Sequence, residues 1–327
     1  MENTIIKIDP IVTLYPDEIE SNESRTFITA NTVPGNFDDI RNNHIIPVFT
    51  KDNEPVISHH DFIKVTREVV SETYSREHIL KPSIRLSHPI MGRIPEAKDK
   101  AAADLAEYEK TIYYERMMFL LEIPSIRENI DGNTLSLTIG GVKAYNMDNL
   151  YNRKGVDQHF KAFIGFKNTV CTNMCVWSDG YVGDLKVTNL ATLKAAISSL
   201  VQNYNAQKHL TRLKQLPKYH LSEQQFAQLI GRCRMYQHLP TALKQEIPQL
   251  LFGDNQISTI CKDFYKDHSF CRNDSGELNL WRLFNLFTGA NKSSYIDGFL
   301  DRSVNAYHFV EKLQDALEHK INNWYLN

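Results

Sequence analysis

The 327-residue chain is 42% hydrophobic and 23% charged, which is the composition of one large globular domain or of two ordinary ones. Its longest apolar runs are far shorter than the roughly 18 residues of a bilayer-spanning segment, so the sequence predicts no transmembrane helix. The absence of a signal peptide and the five irregularly spaced cysteines predict a cytoplasmic protein with free thiols instead of a disulfide framework.

The formal net charge of −2 conceals a segregation of charge along the chain. Residues 1–131 carry a net charge of −8, and residues 246–327 carry −3. Residues 185–245 contain nine Lys and Arg against a single acid, Glu223, for a net charge of +8. A block of one sign is typical of a surface that faces a polyanion. The pattern therefore indicates nucleic acid as a partner, although the total charge does not.

The N-terminal part of the chain contains few sustained patterns. Residues 1–43 predict a partly ordered leader, and two short apolar runs separated by turn residues predict a hairpin over residues 45–58. A helix capped by Ser58 or Asp61 should follow, because the next apolar residues recur at helical spacing. This part is therefore predicted as a hairpin followed by a helix.

Residues 84–187 fall into two parts that differ in composition. Residues 84–95 hold two prolines and a glycine and predict a loop, whereas the alanine-rich residues 97–110 predict a helix. Segments rich in β-branched and aromatic residues then alternate with Asp-Gly and Lys-Asn turns, which favours an antiparallel meander of four or five strands. These segments are residues 113–123, 135–145, 160–166, 170–177 and 181–187.

Helical patterns dominate after residue 189. Helices are expected at residues 190–213, 222–237, 241–250, 256–267, 278–289 and 303–322. The predicted fold class is α+β: an N-terminal hairpin and helix, a β-meander, and a mostly helical C-terminal half. We divide the chain into a leader (1–43), a sheet region (44–189) and a helical region (190–327), where the last two form either one domain or two.

The basic stretch supplies the candidate nucleic-acid-binding residues. Tyrosines 204, 219 and 236 are interleaved with its cations, and single-strand binding combines stacking with neutralisation of the backbone. An alternative interpretation is that these cations pair with the acidic N-terminal region and that the tyrosines belong to the core. The candidate residues are Lys186, Lys194, Lys208, Arg212, Lys214, Arg232 and Arg234.

A second concentration of polar residues lies beside an aromatic helix near the C-terminus. Such side chains can hydrogen-bond an anion or a backbone near a helix start. The alternative is a loop in which Ser293 or Ser294 caps the following helix. The residues of this candidate polar site are Asn285, Asn291, Lys292, Ser293, Ser294 and Arg302.

The sequence supports no catalytic or metal site that we would assign. Cys171 and Cys175 have zinc-like spacing, but Cys261 and Cys271 are too far apart to form a second knuckle. Asp61 is better explained as a cap than as a metal ligand beside two histidines. No glycine-rich nucleotide motif occurs, so no cofactor is predicted.

Several stretches distributed over most of the chain resemble a family of uncharacterised proteins from Bacteroides-type genomes, the domain-of-unknown-function family 3871. The resemblance implies no activity, cofactor or catalytic residue. The stretches include Ile84-Arg-Leu-Ser-His-Pro89, Tyr113-Tyr-Glu-Arg-Met-Met-Phe119, Val170-Cys-Thr-Asn-Met-Cys175, Ile230-Gly-Arg-Cys-Arg-Met-Tyr236 and Gly289-Ala-Asn-Lys-Ser-Ser-Tyr-Ile-Asp297.

A weaker similarity links two elements to a broader phage- and plasmid-related family, namely Cys171–Asn173 and Asn285–Thr288. This similarity implies a mobile-element context, in which proteins that act on DNA are common. The leading hypothesis is therefore a cytoplasmic, mobile-element-associated protein that binds single-stranded DNA without catalysis. The alternatives are a protein-interaction or regulatory module, which includes self-association as a homo-oligomer, and an enzyme with an unrecognised, metal-dependent site.

Overall fold

The computed structural model describes residues 26–44, 57–97, 99–148 and 157–327. The helices in these ranges alternate with strands in the first half of the chain and follow one another closely in the second half. They are α1 (Phe37–Asn43), α2 (His59–Thr73), α3 (Tyr145–Asp148), α4 (Leu190–Asn203), α5 (Ala206–Leu213), α6 (Glu223–Tyr236), α7 (Thr241–Lys244), α8 (Asp254–Lys266), α9 (Leu280–Asn291) and α10 (Ile296–His319).

The strands form one large antiparallel sheet and two small pairs. The large sheet has the order β1-β2-β5-β6-β7-β8, and β9 also pairs with β7. The pairs β3-β4 and β10-β11 are separate. The strands are β1 (Val33–Gly35), β2 (Ser83–Leu86), β3 (Pro89–Arg93), β4 (Lys110–Tyr114), β5 (Arg116–Ile130), β6 (Asn133–Ala144), β7 (Gln158–Asn168), β8 (Met174–Cys175), β9 (Tyr181–Val187), β10 (His220–Leu221) and β11 (Leu278–Asn279).

The predicted α+β class is confirmed, with a meander formed by strands β5 to β9. Its central hairpin turns at Asp131 and Gly132, which have φ of 51° and 78° and connect the paired residues Ile130 and Asn133. Two successive positive φ values match the right-handed twist of the flanking strands, and a glycine adopts them without steric cost. The helix predicted after Ser58 is α2, and Ser58 caps it in a reciprocal arrangement with Asp61.

The two faces of the sheet pack against different elements. On one face, the Phe62 ring of α2 meets the Phe119 and Phe160 rings edge-on, at centroid distances of 5.1 and 4.8 Å. On the other face, the first turn of α10 packs Phe299 and Leu300 against sheet residues that include Phe163. The larger cluster of buried apolar side chains contains residues from both the sheet and the C-terminal helices, so these two parts share a hydrophobic core.

Several sequence-based boundaries were wrong for local reasons. Residues 84–95 contain most of β2 and all of β3, because Pro89 is the first residue of β3, where an amide donor is not needed, and Pro95 lies beyond the end of that strand. In the stretch 97–110, the described residues form short 3₁₀ turns and the start of β4 instead of the predicted helix. The helix predicted at 190–213 divides into α4 and α5, because Tyr204 is extended and Asn205 caps a new helix.

Other predictions differ in extent, and one lies mostly outside the described residues. The helix predicted at 241–250 shortens to the four residues of α7, and the last helix begins at Ile296 instead of residue 303. The hairpin predicted at 45–58 falls outside the described ranges except for its last two residues. No helix within the described ranges has the length and apolarity to cross a membrane.

Gly141 on β6 lies where the sheet meets α2, and a substitution at this position tests how closely the two pack. A β-carbon at this position would lie 2.5 Å from both the Lys161 carbonyl oxygen and Cζ of Phe62. We expect Gly141→Ala to lower the free energy of unfolding by about 1–3 kcal/mol, as overpacked core positions do. Denaturant unfolding measures the change.

Gly231→Ala is the matched control, because no atom of the described residues lies within 4 Å of a β-carbon at that exposed position in α6. This substitution should be neutral or stabilise the protein by roughly 0.5–1 kcal/mol. Equal effects of the two substitutions would contradict the proposed close approach of α2 and β6.

Candidate nucleic-acid interface

The seven predicted cations lie on β9, on α4, at α5 and its C-terminal cap, and on α6. The side chains of Asn189 and Asn205 accept hydrogen bonds from the Thr192 and Lys208 amides, which starts α4 and α5 at these positions. Six of the seven side chains are 40–56% exposed. The basic stretch therefore faces solvent.

Two of these cations pair with the acidic N-terminal region. Lys194 Nζ lies 2.6 Å from Glu72 Oε1 and 3.9 Å from a Glu68 oxygen, both on α2. Lys214 Nζ lies 2.7 Å from Glu128 Oε2 near the end of β5. The alternative interpretation of the charge pattern therefore holds for Lys194 and Lys214.

The other five cations have partners elsewhere in the chain. Lys186 lies 3.0 Å from Asp184, Lys208 lies 3.5 Å from Asp179, and Arg212 pairs with Glu311. Arg234 donates to Ser258 Oγ at 2.7 Å and lies 3.9 Å from Asp254, and Arg232 donates to the Asn327 carbonyl oxygen at 3.1 Å. Exposed pairs of this kind contribute only about 0–1 kcal/mol, so a phosphate can compete for these cations.

The aromatic residues of the basic stretch pack inward. Lys208 and Arg212 both lie over the Trp177 ring, at 4.9 and 4.8 Å, but this ring is only 4% exposed. Tyr236 belongs to the core, and burial raises the pKa of Tyr204 well above its usual value. The interpretation of these tyrosines as core residues is thus the one that the structure supports.

A solvent-open pocket between α1 and α2 has a different charge balance. The cavity has a volume of about 560 Å³. Its wall contains three cations for which the described residues provide no carboxylate partner, namely Arg41, Lys64 and Arg67. The other lining residues are Phe37, His60, Glu68, Ser71 and Glu72. Sequence reasoning missed this site, because the net charge of residues 1–131 concealed a cationic stripe on α2.

The candidate polar site near the C-terminus consists of hydrogen-bonded side chains, of which Asn285, Asn291 and Ser294 are buried, Lys292 and Arg302 are half-buried and Ser293 is exposed. Asn291 donates to Ser303 Oγ and to the Phe299 carbonyl, and Ser294 donates to Asn291 Oδ1. Ser293 donates to the Ala290 carbonyl, and Arg302 donates to the Leu251 carbonyl. Each of these four side chains thus has a hydrogen-bond partner within the protein.

Two other residues of the candidate polar site, Asn285 and Lys292, join the two elements of the weaker sequence similarity. Asn173 Nδ2 donates to the Asn285 backbone oxygen at 3.0 Å and to its Oδ1 at 3.1 Å. Lys292 donates to the Cys171 carbonyl and to Thr172 Oγ1, which holds the turn between β7 and β8 against the end of α9. Thr172 adopts a positive φ of 58° in this turn. The structure therefore brings Cys171–Asn173 and Asn285–Thr288 into direct contact.

A second buried polar group surrounds Lys143, and sequence reasoning also missed it. Lys143 is fully buried, pairs with Asp148 and lies 4.2 Å from the Phe160 ring centroid. Burial lowers its pKa to about 8, although Asp148 acts in the opposite direction. A lysine inside a β-strand gives no sequence signal of burial, because its long side chain usually reaches solvent.

Two histidine rings lie near this lysine. His44 and His59 stack at 5.3 Å, and both bind the backbone of Tyr114. His44 Nε2 accepts from the Tyr114 amide at 3.0 Å, and His59 Nε2 lies 2.7 Å from its carbonyl oxygen. Burial lowers the pKa of His44 to about 4 and holds the pKa of His59 well below its usual value. Both rings are therefore neutral at pH 7.

The five cysteines are free thiols, as predicted. Burial raises the pKa of Cys175 and Cys233, which makes these thiols poor nucleophiles. Within the described ranges, no group of three or more His, Cys, Asp or Glu side chains has the arrangement of a metal site.

Comparison with known proteins identifies one family. Residues 11–326 match the family model described as "Domain of unknown function, B. Theta Gene description (DUF3871)". No curated protein and no solved structure shows a significant match.

The contact between Asn173 and Asn285 should be required for stability. Asn173→Ala removes both hydrogen bonds and leaves Asn285 Oδ1 without its donor, so we expect a loss of about 1–3 kcal/mol in the free energy of unfolding. The double variant Asn173→Ala/Asn285→Ala should lose less than the sum of the single variants, because each single variant strands a buried partner. Additive losses in denaturant unfolding would refute the coupling.

The control for these three variants is Asn203→Ala, at the exposed end of α4, where the side-chain amide donates to Ser199 Oγ. Its effect should stay within about 0.5 kcal/mol.

His209 should make stability depend on pH. Burial, followed by the charge of Arg212, lowers its pKa to about 3, and its Nε2 has no partner among the described residues. In the unfolded chain the His209 imidazole is protonated below about pH 6.5, whereas in the folded chain it stays neutral down to about pH 3. The free energy of unfolding therefore decreases as the pH falls from 6.5 towards 3. The slope is about 1.4 kcal/mol per pH unit.

Denaturant unfolding at pH 7, 6, 5 and 4 tests this expectation. His209→Gln should show a smaller loss of stability over this range than the unmodified protein. His220→Gln, at an exposed position, should keep the original slope. Identical slopes for all three proteins would contradict the role of His209.

Proposed function

The chain belongs to this family of domains of unknown function, and we propose that it binds single-stranded DNA, acting by binding instead of catalysis. Its location in the cytoplasm and its association with mobile elements are part of the same proposal. The observation that carries the proposal is a cluster of exposed cations around α2, where this helix packs against α1 on one side and α4 on another. Lys194 marks one side of this cluster, and Arg41, Lys64 and Arg67 surround the adjoining pocket.

The placement of acids on α2 supports an anionic ligand at this surface. Glu68 and Glu72 both face Lys194 of α4, at 3.9 and 2.6 Å. Their charges are therefore partly neutralised by a residue outside the pocket, whereas the three pocket cations have no carboxylate partner in the described ranges. A polyanion that neutralises such cations releases counterions, which is the main source of non-specific affinity for nucleic acid.

The cations of the basic stretch should contribute less to affinity than the cations of the pocket. Each predicted cation already has a partner in the chain, so phosphate binding there must exchange one weak contact for another. A phosphate that contacts a pocket cation breaks no ion pair of the described residues, so each such contact should contribute more to affinity than a contact with a paired cation. We therefore rank Arg41, Lys64 and Arg67 above Lys186, Lys208, Arg212, Lys214, Arg232 and Arg234 as determinants of affinity.

The test is fluorescence anisotropy with a labelled single-stranded oligonucleotide over a series of salt concentrations. We expect micromolar or tighter binding at ~50 mM salt that weakens steeply as salt is added. Replacing Arg41, Lys64 and Arg67 together by Glu should abolish detectable binding, because the change reverses the field of the pocket. Neutral replacement by Gln should reduce the slope of log K against log salt by about 2, from the loss of three phosphate contacts.

The matched control replaces Lys262, Lys266 and Lys320, which are exposed on α8 and after α10, by the same residues. It changes the net charge equally and should leave most of the binding intact. The absence of binding by the unmodified protein at ~50 mM salt would overturn the proposal. A stable complex with another protein, purified without nucleic acid, would favour the alternative of an interaction module.

A further inference from the structure

The pocket between α1 and α2 has features beyond positive charge. Residues His60, Lys64, Arg67 and Ser71 recur three or four positions apart, which places them along one side of α2. The opposite side of α2 is buried against the sheet, through residues such as Phe62 and Val69. The stripe is therefore held on a rigid helix, and its cations are not needed to pack that helix.

An aromatic stack forms another part of the pocket wall. The rings of Phe37 and His60 are nearly parallel, with centroids 4.7 Å apart and an interplanar angle of 26°. The Asn36 side chain accepts hydrogen bonds from the Asp38 and Asp39 amides, which fixes the start of α1 and thus the position of Phe37. Phe37 and His60 are each partly exposed at the pocket. A planar ring can extend such a stack without disturbing the core.

The size of the cavity fits a ligand larger than an inorganic ion. Its volume of about 560 Å³ falls within the range of pockets that hold small organic molecules and cofactors. Cations around such a volume recognise phosphate, and the stack recognises an aromatic base. A nucleotide carries both groups on one molecule.

We infer that the α1–α2 pocket binds one nucleotide, with its phosphate near Arg41, Lys64 and Arg67 and its base against the Phe37–His60 stack. The inference rests on the proposed function, because the nucleotide would be one unit of a bound strand. A free nucleoside monophosphate presents the same chemistry to the pocket.

Isothermal titration calorimetry with thymidine 5′-monophosphate, inorganic phosphate and thymidine tests the inference. The nucleotide should bind at least about tenfold more tightly than phosphate or thymidine alone, because only it engages both parts of the pocket. Arg67→Gln should weaken nucleotide binding at least about fivefold through the loss of one charged contact. Arg76→Gln, an exposed arginine beyond the end of α2, should leave the affinity unchanged.

Phe37→Leu separates the two parts of the site. Leucine keeps an apolar side chain against the core but removes the ring, so it should weaken the nucleotide and leave the affinity for phosphate unchanged. Thermal unfolding of each variant verifies that the fold is retained. Equal binding of the nucleotide by the unmodified protein, Arg67→Gln and Phe37→Leu would overturn the inference.

The oligonucleotide and the mononucleotide distinguish the two proposals. Oligonucleotide binding without any mononucleotide binding, and with no effect of Arg67→Gln, would overturn the nucleotide pocket and leave the proposed function standing. Mononucleotide binding that depends on Arg67, without oligonucleotide binding, would support the pocket as a site for free nucleotides and overturn the proposed function. If the binding of both the oligonucleotide and the mononucleotide depends on Arg67, both proposals are supported.

Discussion

The buried amide contact between Asn173 and Asn285 joins the two halves of this protein. It connects the turn after β7, in the sheet, to the middle of α9, in the helical half. Both side chains are almost completely buried, so their polar groups must be satisfied by each other and by nearby backbone atoms. Lys292 strengthens the same junction from the end of α9. The orientation of the helical half relative to the sheet therefore depends on a few polar atoms inside an otherwise apolar core.

This junction also explains why the candidate polar site near the C-terminus carries hydrogen-bonding side chains. A long aromatic helix that ends against a sheet leaves backbone carbonyls that need donors away from water. Gln256 of α8 donates to the Ala290 carbonyl at the end of α9, and Asn291 connects α9 to the Phe299 carbonyl of α10. A sequence shows the same residues whether they bind a ligand or complete a packing interface, and the choice between the two depends on burial.

The charge pattern along the sequence likewise does not show which charged residues are neighbours in space. Counting charge along the chain identified residues 185–245 as basic, and their side chains are indeed exposed. The count did not show that Lys194 faces two carboxylates on α2, since these residues are more than a hundred positions apart. It also concealed Arg41, Lys64 and Arg67, because they lie in a segment whose net charge is negative. Local electrostatics depends on spatial neighbours within about a Debye length and not on neighbours in sequence.

The sequence by itself determined the α+β class, the Asp131-Gly132 hairpin and the capped start of α2, because strand periodicity, turn chemistry and helix capping act over a few residues. Only the tertiary structure decided that Lys143 and His59 are buried, that Asn173 meets Asn285, and that α1 and α2 enclose a cationic pocket. Each of these features joins residues far apart in the chain, whose proximity depends on how sheet and helices pack together. Burial and pairing are properties of that packing, so the site depends on contacts that no local pattern specifies.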